Sequence, residues 1–239
     1  MKLLVITFAD ERVADYTKYT HPIFRRFAEK WNADFKNFDS IFFDEFDANR
    51  WSLRIKIIYE QFKIYDRILH LDSDIVINKD CPNIFDIVPH DKIGFVFEDK
   101  GSRLEERRKR IVSIKNLYGG NEKWISGYFN AGMFIASRLH REVFTSIDGK
   151  FWGEHQKVRG SDQTHLGYQL MKQGHKYIDL GYKWNHMSMF SEPWNGSPSR
   201  FDSYILHYAG GAGFPDRGGR NRIQMIRDDI EIIYGNNDD

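Results

Sequence analysis

Residues 67–77 read Arg67-Ile68-Leu69-His70-Leu71-Asp72-Ser73-Asp74-Ile75-Val76-Ile77, an Asp-x-Asp step set between two apolar, strand-like runs. A strand that ends in two carboxylates and then resumes places acid groups at the rim of a sheet, where open α/β folds bind their ligands. Such a tripeptide arises by chance about once in a chain of this length, so the flanking strands carry the argument. Two readings stay open on the tripeptide itself. Asp72 and Asp74 either cap backbone groups in a turn, or they hold a hard divalent cation and, through it, a phosphate. A calcium loop of the EF-hand type is disfavoured, because Ile75, Val76 and Ile77 stand where further oxygen ligands and a glycine are needed.

The chain has 239 residues, 41% hydrophobic and 15% aromatic, enough for a sizeable core in one α/β domain. Thirty-five basic residues against thirty-four acidic ones leave no global field to attract nucleic acid, so phosphate recognition has to be local. Cys81 is the only cysteine, which rules out an internal disulfide. The opening run Leu3 to Phe8 is cut short by Asp10 and Glu11, too brief for a signal peptide, and no later segment has the length and apolarity of a transmembrane span. A cytoplasmic location is the expectation.

Strand-like runs at Leu3 to Phe8, Arg67 to Leu71 and Ile93 to Phe97 alternate with helical stretches, the pattern of a mainly parallel sheet flanked by helices. A first helix is expected after Thr20-His21-Pro22, with Thr20 as cap and Pro22 in the first turn. A second, roughly Trp51 to Tyr65, carries one apolar stripe of Trp51, Ile55, Ile58, Phe62 and Tyr65 and another of Leu53, Ile57 and Ile64. Lys56, Glu60 and Lys63 fall on the opposite, solvated side. Arg54 falls between the stripes, where an unpaired charge is expensive. It either pairs with a core carboxylate such as Asp66 or reaches the anionic ligand of the Asp72–Asp74 step.

Residues 102–117 are rich in Arg and Lys among Glu105 and Glu106, with Leu104, Ile111 and Ile114 at helical spacing: a helix with a solvated basic face. An acidic or phosphorylated acceptor docking there is the lesser alternative. Glycines 119, 120 and 127 mark a mobile segment behind it, of the kind that forms lids. Further on, Tyr128-Phe129-Asn130-Ala131-Gly132 puts a polar Asn and a small Gly at the mouth of another apolar strand, where Gly permits close approach. Ser161-Asp162-Gln163 reads as a helix start in which capping alone accounts for Asp162. Tyr204 to Tyr208 reads as a strand entering the loop Ala209 to Gly213, whose bare backbone suits phosphates.

Taken in order, these segments resemble GT-A glycosyltransferases, most closely family 8, the type of the lipooligosaccharide galactosyltransferases and glycogenin. Leu69 to Asp74 is similar to that family's Asp-x-Asp strand end, and Arg54-Ile55-Lys56 to its upstream Arg/Lys helix. Tyr128 to Gly132 resembles its Phe-Asn-(Ser/Ala)-Gly segment, Asp162-Gln163 its Asp-Gln pair, and His207-Tyr208-Ala209-Gly210 its His-(Phe/Tyr)-x-Gly ending. The resemblance implies an α/β, Rossmann-like GT-A fold with a mixed, mainly parallel sheet. It implies one domain over 1–239: a nucleotide-binding half at 1–100, a donor-sugar and acceptor half at 101–216, and a C-terminal helix at 217–239.

By the same resemblance, a nucleotide-diphosphate sugar, of the UDP-sugar type, is bound through Mn²⁺ or Mg²⁺ on Asp72, Asp74 and His207, and its hexose passes to a saccharide or glycan. Two carboxylates and an imidazole suit Mn²⁺ better than Ca²⁺. Thr7, Ala9 and Asp10 correspond to the base-binding end of the first strand, with Tyr16 or Tyr19 stacking on the base, Ser73 near the ribose, and Arg54 and Gly210 on the phosphates. Asn130, Asp162 and Gln163 fall to the sugar side. In an inverting enzyme Asp162 is the candidate base; in a retaining one, as the resemblance implies, Asp162 or Gln163 stabilises the oxocarbenium-like centre while a donor phosphate oxygen takes the proton.

The chain departs from the family where Lys-Pro-Trp usually follows the His-x-x-Gly ending. Here Gly213-Phe214-Pro215 stands instead, and the phosphate-binding lysine is missing, with Arg217 or Arg220 as substitutes away from the matching position. Lys56 competes with Arg54 for the phosphate role, although helical phase favours Arg54. The Asp99 region is a further candidate for a donor-sugar contact. Two rival readings are a sugar nucleotidyltransferase, disfavoured because Ala9-Asp10-Glu11-Arg12 is not a Gly-rich basic loop, and a non-catalytic carbohydrate-binding protein on the same fold.

Overall fold

The computed structural model describes residues 1–39, 50–151, 161–210 and 213–235, and of residues 50, 51 and 161 the backbone alone. The expected contributions of the Trp51 side chain to the apolar stripe, of Ser161 as a cap, and of Gly211 and Ala212 to the loop lie outside the described residues.

Strands β1 (Leu3–Phe8), β2 (Asp34–Phe38), β3 (Arg67–Leu71), β5 (Ile93–Phe97), β6 (Phe129–Ser137) and β7 (Tyr177–Asp179) form one sheet in the order β2-β1-β3-β6-β5-β7. The pairs β1–β2, β1–β3 and β5–β7 are parallel, and β6 runs antiparallel to both β3 and β5. A two-stranded ribbon, β4 (Ile75–Ile77) with β8 (Ile205–His207), lies apart from it. The expected strands at residues 3–8, 67–71 and 93–97 are present with those bounds.

All of β3 and β6 is buried, and their side chains alternate between two cores. Val5, Leu69, Leu71, Met133 and Ile135 face one core with α1 (Ala14–Lys30), α3 (Ile84–Ile87) and α6 (Arg222–Tyr234). Leu4, Ile6, Ile68 and Phe134 face the other with α2 (Arg50–Gln61) and α5 (Ser161–Gln173). A smaller cluster seats α4 (Leu104–Tyr118) on α5 through Ile111, Ile114 and Tyr168. Among the described residues no helix is long and apolar enough to cross a membrane.

Three local expectations are corrected. Helix α1 starts at Ala14, not after Pro22, because Asp10 caps a 3-10 turn, Glu11–Val13, that feeds straight into it. Pro22 therefore sits inside the helix and removes one ladder bond, a cost offset by burying Ile23, Phe24 and Phe27 one turn on. Helix α2 ends at Gln61, since Lys63 and Ile64 donate to carbonyls three residues back and tighten the last turn. Past that end Ile64 is 47% exposed, outside its expected stripe. Lys56 is half-buried, with its ammonium over the Phe151 ring, not on a solvated face.

Candidate active site

Antiparallel pairing of β6 with both neighbours makes β3 and β5 point the same way, so their C-terminal ends share one rim with the start of β6. That rim gathers Asp72, Glu98 and Asn130. The ribbon adds the next group. Ile75 pairs with His207, and Tyr208 N donates to Asp74 O at 3.0 Å, which brings His207 abreast of the two aspartates. His207 Nε2 lies 3.3 Å from Asp74 Oδ1 and 3.7 Å from Asp72 Oδ2. One oxygen or nitrogen from each of the three residues falls within a 4.8 Å span.

Arg54 settles between Asp72 Oδ1 at 3.2 Å and Asp162 Oδ2 at 3.3 Å, tying α2 to the strand end and to the first turn of α5. The Asp66 alternative is overturned: that carboxylate accepts from Lys2 N at 2.7 Å and pairs with Arg138. Helical phase alone separates Arg54, inside the site, from Lys56, outside it. The Asp-x-Asp turn is itself held by α1, with Thr20 Oγ1 donating to Ser73 O at 2.8 Å and Tyr16 Oη 3.4 Å from Ser73 Oγ.

Arg54, Asp72, Asp74, Asp162 and His207 line a cavity of about 650 Å³ together with Asn130, Gln163 and Gly210, a size within the usual range for small-molecule sites. Thr7, Ala9, Asp10, Tyr16 and Ser73 do not line it. Ala9 is fixed by Asn37, whose side chain both donates to and accepts from its backbone at 3.0 Å, and Asp10 is engaged by Arg12. Asp99 is also committed, accepting from the backbone N–H groups of Gly127 and Tyr128 at 3.0 Å.

Glu98, one residue earlier, is a cavity group that sequence reasoning missed, as is Arg222, which pairs with Asp74. Only 2% exposed, Glu98 accepts from Asn130 Nδ2 at 2.8 Å and Gln163 Nε2 at 2.6 Å and pairs with Arg107. Its place directly after β5, as Asp72 follows β3, was the available signal. Arg103, Arg107 and Arg110 of the basic segment line the same cavity, and Arg107 is buried, so that face is not simply solvated.

A chain of amides determines how His207 presents itself. Gly132 N donates to Asn130 Oδ1 at 2.8 Å, so that atom is an acceptor. Asn185 must then approach it with Nδ2, at 3.0 Å, which turns Asn185 Oδ1 toward His207 Nδ1 at 2.9 Å. Nδ1 is therefore the protonated nitrogen, and Nε2 faces the carboxylates with its lone pair whenever the ring is neutral. Gly132 itself has no room for a side chain: a Cβ would stand 2.4 Å from His207 Cε1 and 2.6 Å from Asp72 Oδ2.

Burial opposes charge on all three of these residues, and their neighbours decide the outcome. Asp74 is held below the usual carboxylate range because His207 and Arg222 outweigh its desolvation. His207 is raised because Asp74 and Asp72 outweigh its desolvation, whereas on Asp72 burial prevails over Arg54 and His207 and the carboxyl is raised.

The family model for glycosyl transferase family 8 matches residues 8–213. The chain belongs to that family and is a glycosyltransferase. No curated protein sequence is detectably similar to it. Among solved structures it is similar to a glycosyltransferase involved in glycosylation of the major capsid of PBCV-1, with 14% identity, a TM-score of 0.61, and coverage of 95% of this chain and 99% of that one. The galactosyltransferase LgtC, in complex with donor and acceptor sugar analogues, gives 17% identity and a TM-score of 0.57 over 97% of this chain and 96% of that one. Mouse xyloside xylosyltransferase 1 gives 12% and 0.51 over 86% and 96%. At these identities the likeness establishes the GT-A fold.

Proposed function

We propose that the chain moves a hexose from a nucleoside diphosphate sugar, of the UDP type, to a hydroxyl of a saccharide or glycan, with Mn²⁺ or Mg²⁺ held by Asp72, Asp74 and His207. The observation that carries this reading is the Asp–Asp–His cluster in one cavity with the amides of Asn130 and Gln163. The donor set fits a borderline cation: two carboxylates, one of them held ionised, and an imidazole whose Nδ1–H is fixed so that Nε2 can bind. When bound, the cation supplies Lewis-acid stabilisation of the departing diphosphate. Asn130 and Gln163, locked by Glu98, present fixed polar groups to the sugar hydroxyls, and Asp162 with Arg54 bridges the sugar and phosphate ends.

We further propose that transfer retains the anomeric configuration. An inverting enzyme needs a carboxylate able to take the acceptor proton. Asp72 and Asp162 face Arg54, Asp74 faces His207 and Arg222, and Glu98 and Glu106 face Arg107, so the cavity carboxylates are committed to cations. A phosphate oxygen of the donor then accepts the proton. In this reading Thr7, Ala9, Asp10, Tyr16 and Ser73 serve the base and ribose beyond the cavity.

Calorimetry tests the metal bridge: UDP is expected to bind only with Mn²⁺ or Mg²⁺ present, and unchanged binding after joint Asp72→Asn and Asp74→Asn substitution would sink it. Arg54→Ala should weaken binding more than Lys56→Ala. A product of inverted configuration by NMR would reject retention.

A further inference from the structure

The segment after β5 contributes Arg103, Arg107 and Arg110 to the cavity, spaced along one helical face. Arg107 and Arg110 are answered by Glu98 and Glu106. Arg103 differs. Half-buried at the start of α4, its guanidinium makes no ion pair or hydrogen bond among the described residues, and Nη2 stands 3.8 Å from the point a Cβ on Gly210 would occupy. From the other wall Arg222, the first residue of α6, donates from Nη2 to Gly210 O at 2.6 Å and from Nη1 to Asp74 Oδ2 at 3.0 Å. Two guanidinium groups thus converge on Gly210, and Asp74, the carboxylate that Arg222 meets, is shared with His207.

Like charges drawn together around a bare backbone call for an anion, and planar guanidinium forks suit phosphate oxygens. Gly210 has φ +77°, which keeps a side chain out of the space between them. Arg217 and Arg220, which stand nearer the position of the missing lysine, line an adjoining cavity of about 290 Å³ that shares Gly210 and Arg222 with this one and is lined by neither Arg103 nor the Asp–Asp–His cluster; Arg220 is spent on Arg217 O, Asp216 O and Asp228.

We infer that Arg103 and Arg222 form a two-sided clamp on the terminal phosphate of the donor, so that the basic helix supplies half of the diphosphate site. The inference rests on the donor reading proposed above. Because the Arg103 guanidinium makes no ion pair or hydrogen bond among the described residues, Arg103→Ala should change the melting temperature little; Arg222→Lys tests the partner while keeping its charge.

Titration calorimetry in Mn²⁺ with UDP, pyrophosphate and uridine separates the possibilities. Arg103→Ala is expected to weaken UDP and pyrophosphate by about 10-fold or more while leaving uridine within about twofold, with Arg103→Lys recovering part of the loss. If wild-type protein binds UDP in a metal-dependent way but Arg103→Ala, Arg222→Lys and the double variant all match it within about twofold, the clamp is refuted and Arg103 is left to an anionic group of the acceptor. If wild-type protein binds no nucleoside diphosphate, the donor reading fails first and the clamp with it.

Discussion

Asn185→Leu isolates the amide chain that orients His207. Leucine fills nearly the same volume at a fully buried position but removes the Oδ1 that accepts from His207 Nδ1 at 2.9 Å and the Nδ2 that donates to Asn130 Oδ1 at 3.0 Å. The imidazole N–H is then left buried without a partner, a cost of about 1–3 kcal/mol in stability. Asn130 keeps its bond from Gly132 N, so the strand mouth should hold. Freed of its acceptor, the ring no longer has a preferred tautomer, and loss of such an outer partner typically lowers metal affinity by about 10–100-fold, or roughly 1.4–2.7 kcal/mol. Asn185→Asp restores the acceptor for His207 but sets a carboxylate oxygen against Asn130 Oδ1, so it should recover affinity only partly. Mn²⁺ affinity is read by electron paramagnetic resonance of the free ion, without substrate. A folded Asn185→Leu protein that binds Mn²⁺ within about twofold of wild type would refute the orientation argument.

Gly132→Ala, with its Cβ 2.4 Å from His207 Cε1, forces the rim apart at His207, Asp72 and Asn130 and should abolish metal binding while costing on the order of 1–3 kcal/mol of stability; full Mn²⁺ affinity in the alanine variant would contradict the close approach. Acid stability offers a second check. Burial lowers the pKa of His140 from 6.5 to about 4, and Nδ1 accepts from Ser137 N at 3.0 Å, so the folded state holds the neutral ring. Its contribution is complete above pH 6.5 and is lost as the pH falls toward about 4, with His186 behaving in the same direction. The melting temperature of His140→Gln, whose carbonyl can replace the acceptor, should therefore fall less steeply over that window than wild type; parallel curves would show that the histidine takes up its proton alike in the folded and unfolded chain.

Strands β1, β3 and β5 were legible because each is a short apolar run closed by a charged or polar residue, and burial on both faces allows little else. Arg54 was legible because a 100° wheel places it between two apolar stripes. The start of α1 was not, since Val13 gives it no side-chain cap and Asp10, read as part of a base site, spends its carboxylate on Arg12. Glu98 and Asn185 belong to no motif. Their roles come from bonds to residues 32 and 65 positions away in the first case and 55 and 22 in the second, and only the sheet order brings those partners together.

That separation explains why the Asp-x-Asp step alone was ambiguous. As a turn, Asp72 and Asp74 would spend their oxygens on nearby N–H groups. Here Asp72 faces Arg54 and His207, and Asp74 faces His207 and Arg222, all delivered from elsewhere in the chain. The three elements that deliver them, α2, β8 and α6, also help bury the two cores, so the site cannot be assembled without the fold. Gly132 joins the two requirements at one atom: its N–H fixes the Asn130 amide and, through Asn185, the His207 tautomer, while its missing side chain leaves the space in which His207 and Asp72 meet. A residue that is chosen for both steric and proton-directing reasons tolerates no substitution that satisfies only one of them, which is why alanine there should fail even though the strand would accept it.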